Sequence, residues 1–353
     1  MKEKIVKLRN KMNEAGLDGF IVYNPANIEY LVNTKAEGFL IINDYENIFM
    51  TDARYIEDVR NKITIADEIL IQDISQTAPE DFLSFFENCN KVGFEENYVT
   101  YAKYRTMIMK FRIKEPVEAS SVIEKMRQIK DKDEIRYIET ACNITDSCFM
   151  HLQNFIKVGM TEREVAFEIE KFFWENNAEG TAFDTIVASG ANSSKPHAIP
   201  TDKKIEYGDN VLIDFGAKYN GYCADMTRTI FMGTISDIQR NAYNFVKGVQ
   251  ERALNKMKAG VSTKEIATYA NKEFKSANLD LIHALGHGVG IDIHEQPFFS
   301  MRDSWQLECN MVVTDEPGLY LPGKFGIRIE DTLLVNNLEP TQLTKTNKNI
   351  III

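Results

Sequence analysis

Residues 208–233, GDNVLIDFGAKYNGYCADMTRTIFMG, contain two apolar runs on either side of Asn220-Gly221. An Asn-Gly pair between two strand-like runs is a strong local indication of a β-hairpin. Residues 309–335, CNMVVTDEPGLYLPGKFGIRIEDTLLV, have the same form around Pro322-Gly323. In each segment one acid ends the first apolar run and another acid lies early in the second run. The sequence therefore predicts two related hairpins that carry carboxylates at matching places.

Helical patterns precede both hairpins. Apolar residues recur at helical spacing in three segments, 161–177, 236–256 and 262–278. Thr161, with Glu164 three residues later, is typical of a capping box at the start of a helix. A highly charged stretch also predicts a linker helix over about residues 120–135, followed by another helix. The C-terminal region is therefore predicted to be of the α+β class, with a duplicated α-α-β-β unit.

Short strand-like runs characterise the first part of the chain. They lie at residues 18–24, 38–43 and 47–52, and Asn, Asp or Gly bounds each of them. Helix-like segments lie between and around these runs. A chain of 353 residues is also longer than one ordinary core supports. We therefore expect a smaller α/β domain over residues 1–122 and a second domain over residues 123–353.

The composition narrows the class of protein. The net charge is −11, and no basic face with interleaved aromatic residues is present, which argues against a nucleic-acid-binding protein. The five cysteines form no CxxC pair, a usage typical of a reduced compartment. The N-terminal pattern lacks the apolar core of a signal peptide, and no apolar run approaches the roughly 20 residues that span a bilayer. We therefore expect a cytoplasmic protein without a membrane partner.

The acids of the two hairpins raise an electrostatic problem. If the first hairpin turns through residues 218–221, Asp214 and Asp225 stand directly opposite each other, with their Cβ atoms roughly 5 Å apart. Two ionised carboxylates at that distance among apolar residues require a proton or a cation between them. The second hairpin raises the same problem with Glu316 and Glu330. Four converging carboxylates predict a site for divalent metal.

Histidines are rare but clustered. The chain has five, and three of them, His283, His287 and His294, lie in HALGHGVGIDIHEQP at residues 283–297. Four carboxylates with one imidazole form a hard, oxygen-rich site that suits Mn²⁺ or Co²⁺, with Fe²⁺ and Zn²⁺ as alternatives. Five side chains can serve two ions only when carboxylates bridge them. Such a pair generates hydroxide from a bound water and polarises the carbonyl that the hydroxide attacks.

Each of these residues alone also has an ordinary structural interpretation. Asp214 could pair with an arginine or a lysine, Glu330 could pair with Arg328, and His287 could be a loop residue whose ring bonds to the backbone. The helical HExxH zinc signature is absent from the sequence. It is the repeated arrangement of the acids around the histidine segment that favours the metal site over these alternatives.

The segments IDFGAKYNGYCADMTRT, HALGHGVGIDIHEQP, TDEPGLYLPGKFG and IRIED together resemble the pita-bread metallopeptidase family. That family includes the prolidases, the aminopeptidases P and the methionine aminopeptidases. The resemblance implies that Asp214 chelates one metal ion and that Asp225 and Glu330 bridge two ions. It also implies that His287 and Glu316 bind the second ion, with Glu316 handling the proton of the bridging water.

The resemblance implies roles for further residues of the pocket. His197 and His294 would hold the scissile carbonyl and the developing oxyanion, and could pass a proton to the leaving nitrogen. Phe183 and Ile293 resemble the apolar wall that receives a proline ring. His283 resembles a further pocket histidine, although a packed helix histidine is an alternative interpretation.

Arg328 is expected to support the site from outside the metal-ligand set. It precedes Glu330 by two positions in the sequence. Its predicted role is to orient the Glu330 region, and it is counted among the residues of the substrate pocket.

The N-terminal domain and the HEQP and PGKFGIRIED segments resemble the proline-specific branch, whose members remove the residue that precedes proline. Dipeptidase and aminopeptidase are harder to separate. The 14-residue spacing of Glu316 and Glu330 resembles prolidases. Phe298, however, stands where some prolidases carry an arginine that can receive a dipeptide's carboxylate.

The sequence-based preference is therefore an Xaa-Pro aminopeptidase that acts through a metal-bridging hydroxide. An Xaa-Pro dipeptidase is the close alternative. A non-catalytic pita-bread protein that binds peptides and a metal-independent creatinase-like hydrolase are less favoured, because no predicted ligand is missing. The expected partners are peptides with proline in the second position and a second copy of the chain in a homodimer.

Overall fold

The computed structural model describes residues 1–64 and 67–353, and the chain divides into two compact units, Met1–Arg127 and Gln128–Ile353. The division falls within a helix at Ser120–Gln128. The boundary predicted at residues 122–123 lies in the same helix and remains a prediction. No helix in the described part of the chain is long and apolar enough to cross a membrane.

The first unit is built on a six-stranded sheet with the strand order β4-β3-β2-β1-β5-β6. The strands are β1 Gly19–Val22, β2 Gly38–Asn43, β3 Asn47–Thr51, β4 Leu70–Asp73, β5 Lys91–Phe94 and β6 Glu115–Glu118. The helices are α1 Lys2–Glu14, α2 Pro25–Val32, α3 Ile56–Lys62, α4 Asp81–Ser84, α5 Tyr101–Phe111 and α6 Ser120–Gln128. The three strands predicted near residues 18–52 are therefore confirmed.

Helices cover both faces of this sheet. In β2, five consecutive residues from Phe39 to Asn43 are buried. Because successive side chains of a strand point to opposite faces, such a run requires cover on both sides. Helix α1 contributes Ile5, Leu8 and Met12, which are buried at helical spacing. The predicted α/β character of this region follows from that packing.

The second unit repeats a pair of helices followed by a pair of long strands. The helices are α7 Lys132–Phe155, α8 Glu162–Glu175, α9 Asp237–Leu254 and α10 Thr263–Ser276. Thr161 and Glu164 form the predicted capping box at the start of α8. Ser236 and Gln239 form the equivalent box at the start of α9. Each copy therefore contains a helix that begins with this local device.

The strands of the second unit lie in small antiparallel sheets, with the orders β11-β8-β7, β13-β12-β14-β17-β18, β10-β9 and β15-β16. Those of the first copy are β7 Ile186–Ser189, β8 Asn210–Phe215, β9 Lys218–Tyr219, β10 Tyr222–Cys223 and β11 Met226–Phe231. Those that follow are β12 His287–Gly288, β13 Glu295–Phe298, β14 Val312–Asp315, β15 Gly318–Leu321, β16 Phe325–Arg328, β17 Asp331–Leu334 and β18 Thr341–Gln342. Each copy packs its strands and helices around a separate apolar cluster.

The register of the first hairpin corrects the sequence analysis. Tyr219 pairs with Tyr222 around a two-residue turn, in which Asn220 has a φ of 46° and Gly221 a φ of 80°. Two positive φ values are typical of the type I′ turn that an Asn-Gly pair favours. The same register places Asp214 opposite Thr227. The predicted direct pairing of Asp214 with Asp225 is therefore wrong by two residues, because the turn is shorter than the assumed 218–221.

The second hairpin has the predicted form and a different register. Asp315 pairs with Asp331 before a gap in the ladder, and Gly318 pairs with Arg328 after it. Both stretches share one register, which places Glu316 opposite Glu330 within the gap. Leu321 pairs with Phe325 around a three-residue turn at 322–324. The acids of this hairpin therefore face each other, whereas those of the first hairpin are diagonal neighbours.

Candidate metal centre

One cavity of about 470 Å³ in the second unit collects the residues predicted from the sequence. All eleven predicted site residues line it: Phe183, His197, Asp214, Asp225, His283, His287, Ile293, His294, Glu316, Arg328 and Glu330. These residues come from both hairpins and from the histidine segment between them. The fold therefore brings together side chains that are up to 147 positions apart in the sequence.

Three of the predicted metal ligands converge most closely. Asp225, His287 and Glu330 each present a ligand atom, and these atoms lie within 4.8 Å of one another. All three residues are buried. His287 Nε2 lies 3.5 Å from Asp225 Oδ2 and 3.6 Å from Glu316 Oε1. The arrangement has the residue types and the separations of a site for a divalent cation.

The hydrogen bonds of His287 orient its ring toward these acids. Nδ1 donates to the Gly288 carbonyl oxygen at 3.0 Å, because a carbonyl can only accept. This bond assigns the ring proton to Nδ1 in the neutral tautomer and leaves the Nε2 lone pair facing Asp225 and Glu316. A histidine that binds metal through one nitrogen typically donates the other N–H to such an acceptor.

The electrostatics of the acids favour added positive charge. Burial raises the pKa of the Asp225 carboxyl well above its usual range, and the charges of Asp214 and Glu316 raise it further. Burial and the charge of Asp225 likewise raise the pKa of Glu330. Burial also raises the pKa of Glu316. Protons or cations must therefore accompany these carboxylates, as expected for like charges that share an enclosed site.

Asp214 has one satisfied and one unsatisfied oxygen. Its Oδ2 accepts a hydrogen bond from Nη2 of Arg328. Its Oδ1 is buried and has no hydrogen-bond partner among the residues that the structure describes. An unpaired buried carboxylate oxygen is costly, and a cation can satisfy it. The alternative in which Arg328 pairs with Glu330 is wrong, because the guanidinium forms its ion pair with Asp214.

Arg328 also organises one side of the cavity. Its Nη1 donates to the Tyr320 hydroxyl at 2.7 Å and to the Pro196 carbonyl at 3.2 Å, next to His197. The Tyr320 hydroxyl donates to His283 Nε2 at 3.0 Å, and His283 Nδ1 donates to the Ala284 carbonyl at 2.8 Å. Both nitrogens of the neutral ring are thus occupied.

Burial and the Arg328 charge lower the pKa of His283 to about 4. The low value agrees with the hydrogen bonds of the ring, because only the neutral form can accept from Tyr320. The sequence analysis missed Tyr320. The only sequence signal for this residue is its position four residues after Glu316.

The remaining predicted residues lie at the accessible side of the cavity. His294 is exposed, and the centroid of its ring lies 4.4 Å from that of His287 in an edge-on arrangement. Partial desolvation of the ring in the cavity and the neighbouring His287 lower the pKa of His294. His197 is also exposed, whereas Phe183 and Ile293 are half-buried. A bound molecule could therefore touch two imidazoles and an apolar wall while it faces the acids.

Comparison with known proteins agrees with this geometry. Residues 136–337 match the family described as metallopeptidase family M24, and residues 4–129 match the creatinase/prolidase N-terminal domain. The chain belongs to metallopeptidase family M24. The predicted family, the α+β fold class and the expectation of a metallopeptidase are confirmed by these matches.

Several relatives align with nearly the whole chain. An Xaa-Pro dipeptidase from Pyrococcus furiosus is 36% identical over 99% of this chain and 100% of its own length. A solved Xaa-Pro dipeptidase from Bacillus anthracis superposes with a TM-score of 0.94 at 36% identity and covers 99% of each chain. An X-Pro aminopeptidase from Thermotoga maritima has a TM-score of 0.88 at 31% identity, over 98% of this chain and 100% of its own.

Proposed function

We propose that this protein is an Xaa-Pro dipeptidase that uses two divalent metal ions. The observation that carries the proposal is the full-length similarity to Xaa-Pro dipeptidases, at 36% identity and a TM-score of 0.94. These relatives support the dipeptidase alternative better than the aminopeptidase that the sequence analysis preferred. The exopeptidase activity, the cytoplasmic location and a homodimer remain predictions.

Five side chains of this chain would hold the metal ions, with Mn²⁺ as the first choice. They are Asp214, Asp225, His287, Glu316 and Glu330. The unpartnered Oδ1 of Asp214 and the raised pKa values of Asp225 and Glu330 support a cationic occupant. Bound there, two divalent cations would lower the pKa of a water molecule and polarise the scissile carbonyl. Asp225 and Glu330 are the proposed bridging ligands.

The other residues would bind and orient the peptide. His294 and His197 would donate hydrogen bonds to the carbonyl oxygen as negative charge develops on it. Burial raises the pKa of Glu316. This residue is the proposed acceptor of a proton from the attacking water. Phe183 and Ile293 would pack against the proline ring. Because the Xaa-Pro amide has no N–H, an apolar wall next to it leaves no hydrogen-bond donor unpaired.

His283 has a different proposed part. Its ring nitrogens are already bonded to Tyr320 and Ala284, so the residue is better suited to shape the pocket than to move protons. Arg328 connects this side of the pocket to Asp214 and to the backbone next to His197. The two residues would therefore hold the substrate-facing wall in register with the metal-binding acids.

The test compares Ala-Pro, Ala-Pro-Ala and Met-Ala-Ser as substrates of the protein loaded with Mn²⁺. We expect hydrolysis of Ala-Pro and none of Met-Ala-Ser. Cleavage of Ala-Pro-Ala without cleavage of Ala-Pro would replace the dipeptidase proposal with an aminopeptidase. A protein that binds no Mn²⁺ and cleaves none of the three peptides would overturn the peptidase proposal itself.

A second candidate, an X-Pro aminopeptidase, is favoured by a second cavity of about 570 Å³. This cavity shares His283, Ala284 and Phe298 with the first one, and it continues to Met301 and Arg302. It therefore offers room for residues that follow the proline. Arg302 is exposed and has no ion-pair partner among residues 1–64 and 67–353, so it could receive a longer peptide's carboxylate. Arg302→Gln would then lower the ratio of Ala-Pro-Ala to Ala-Pro hydrolysis.

A further inference from the structure

Thr227, on the first hairpin, connects two functional side chains of the second hairpin. It lies on β11, directly opposite Asp214, and is fully buried. Its hydroxyl accepts a hydrogen bond from Arg328 Nε at 3.0 Å and donates one to Glu330 Oε2 at 2.7 Å. Because a guanidinium can only donate, the single hydroxyl proton is left for Glu330. The direction of both bonds is therefore determined.

The backbone reinforces this link. Glu330 N–H donates to the Thr227 carbonyl at 3.1 Å, so main chain and side chain hold the same pair of residues. Arg328 itself forms its ion pair with Asp214. One guanidinium therefore bonds directly to an acid of the first hairpin and reaches an acid of the second hairpin through Thr227.

We propose that Thr227 is a positioning residue whose hydroxyl holds Glu330 Oε2 and thereby fixes the orientation of the Glu330 carboxylate at the metal centre. The proposal rests on the proposed metal site and adds a residue to it. The Thr227 hydroxyl bonds to both Arg328 and Glu330, and both partners are buried. Without that hydroxyl, the Arg328 N–H loses an acceptor, the Glu330 oxygen loses a donor, and the carboxylate is free to rotate.

The main test measures Mn²⁺ binding by calorimetry in Thr227→Val, which replaces the hydroxyl with a methyl group of similar size. We expect Mn²⁺ affinity to fall by about 10- to 100-fold, the effect typical of removing a partner of a metal ligand. Thr227→Ser keeps the hydroxyl and should restore affinity close to that of the wild type. The activity at saturating Mn²⁺ is a second, separate readout.

Thr229→Val is the matched control. Thr229 is equally buried on the same strand, and its hydroxyl also donates one hydrogen bond and accepts one. Both of its bonds, however, go to the main chain of Arg328. A general weakening of the strand would lower unfolding temperature and Mn²⁺ affinity alike in Thr227→Val and Thr229→Val. The proposal requires that only the Thr227 variant loses Mn²⁺ affinity.

The outcomes separate this inference from the proposed function. If the wild type binds no Mn²⁺, the metal site itself is wrong. If the wild type binds Mn²⁺ and Thr227→Val binds it equally well, the positioning role is wrong. Should Thr227→Val fail to fold, Thr227→Ala removes the hydroxyl without putting a methyl group in its place, and a wild-type affinity in that variant would overturn the proposal.

Discussion

The two hairpins of the second unit share a topology but differ in register. In the first, the two-residue turn leaves Asp214 opposite Thr227 and diagonal to Asp225. In the second, the three-residue turn leaves Glu316 opposite Glu330. Directly opposed Cβ atoms lie about 5 Å apart and diagonal ones about 7–8 Å apart. The duplication therefore supplies four acids, and the turn of each hairpin sets the register of its own two acids.

The hairpins also exchange hydrogen bonds in a related way. Thr227 follows Asp225 by two residues, and Thr332 follows Glu330 by two. Thr227 donates to the Glu330 carboxylate at 2.7 Å, and Thr332 donates to the Asp225 carbonyl at 2.7 Å. Each copy thus holds the acid-bearing residue of the other. The Thr227 hydroxyl bonds to a side chain, whereas the Thr332 hydroxyl bonds to the main chain.

The largest difference lies two residues before each of these acids. The second hairpin has Arg328 there, and the first has Cys223. Arg328 forms an ion pair with Asp214, while the Cys223 thiol bonds to the Ile291 carbonyl at 3.3 Å. At this position the second copy therefore supplies a cation and the first copy does not. The two hairpins have a similar fold, but they contribute different side chains to the centre.

The largest expected effect comes from the residues that the two copies contribute jointly to the centre. We expect Asp225→Asn and Glu330→Gln each to lower the rate of Ala-Pro hydrolysis by more than about 100-fold. Changes to residues that only support the metal ligands typically cost about 10- to 100-fold. Activity with added Mn²⁺ and bound metal per chain are the measurements. Glu339→Gln, which alters an exposed acid, is the control. Near-native turnover in metal-stripped Asp225→Asn would contradict the assignment.

Arg328→Met tests the cation that the second hairpin supplies at this position. It removes the partner of Asp214 while keeping an apolar stem of similar length. Breaking a buried ion pair by removing one partner costs about 3–5 kcal/mol of unfolding free energy. Denaturant unfolding of the metal-free protein measures this loss. Cys223→Ser, which alters the corresponding residue of the first hairpin, should cost much less, and equal losses in the two variants would argue that the hairpins are equivalent after all.

Thr332→Val sharpens the comparison of the two threonines. It leaves the Asp225 carbonyl without a donor, which we expect to cost about 1–3 kcal/mol of unfolding free energy. Because the lost bond held main chain rather than a carboxylate, Mn²⁺ affinity should fall less than in Thr227→Val. Calorimetry on both variants under one condition provides the measurement. A larger loss of affinity in Thr332→Val would reverse the ranking of the two links.

The sequence predicted the elements of this scaffold better than their register. The helix start at Thr161 and the turn at Asn220-Gly221 depend on local chemistry, which a short segment contains in full. The pairing of Asp214 depended on the number of residues in the turn, and the same segment permits a two- or a four-residue loop. The Arg328–Asp214 ion pair joins positions 114 residues apart in different copies. Only the packed fold reveals such a contact.

The smallest expected effect concerns the capping box at the start of α8. Glu164 closes the capping box of α8, and Gln239 closes that of α9. Hydrogen bonds from the Thr161 backbone and hydroxyl lower the pKa of Glu164 below its usual value. Its ionised form therefore stabilises the folded state above the unfolded-state pKa, and this contribution is lost as the pH falls through the lower, folded-state pKa.

Glu164→Gln gives α8 the uncharged capping partner that α9, a helix of the second copy, already has. We expect the variant to be slightly less stable than the wild type near pH 6 and the difference to shrink as the pH falls below about 4.3, the usual pKa of a glutamate. Urea unfolding of the metal-free protein across this range is the measurement. A stability difference that stays constant with pH would show that the capping box of α8 gains nothing from its charge, and that the two helix starts are equivalent.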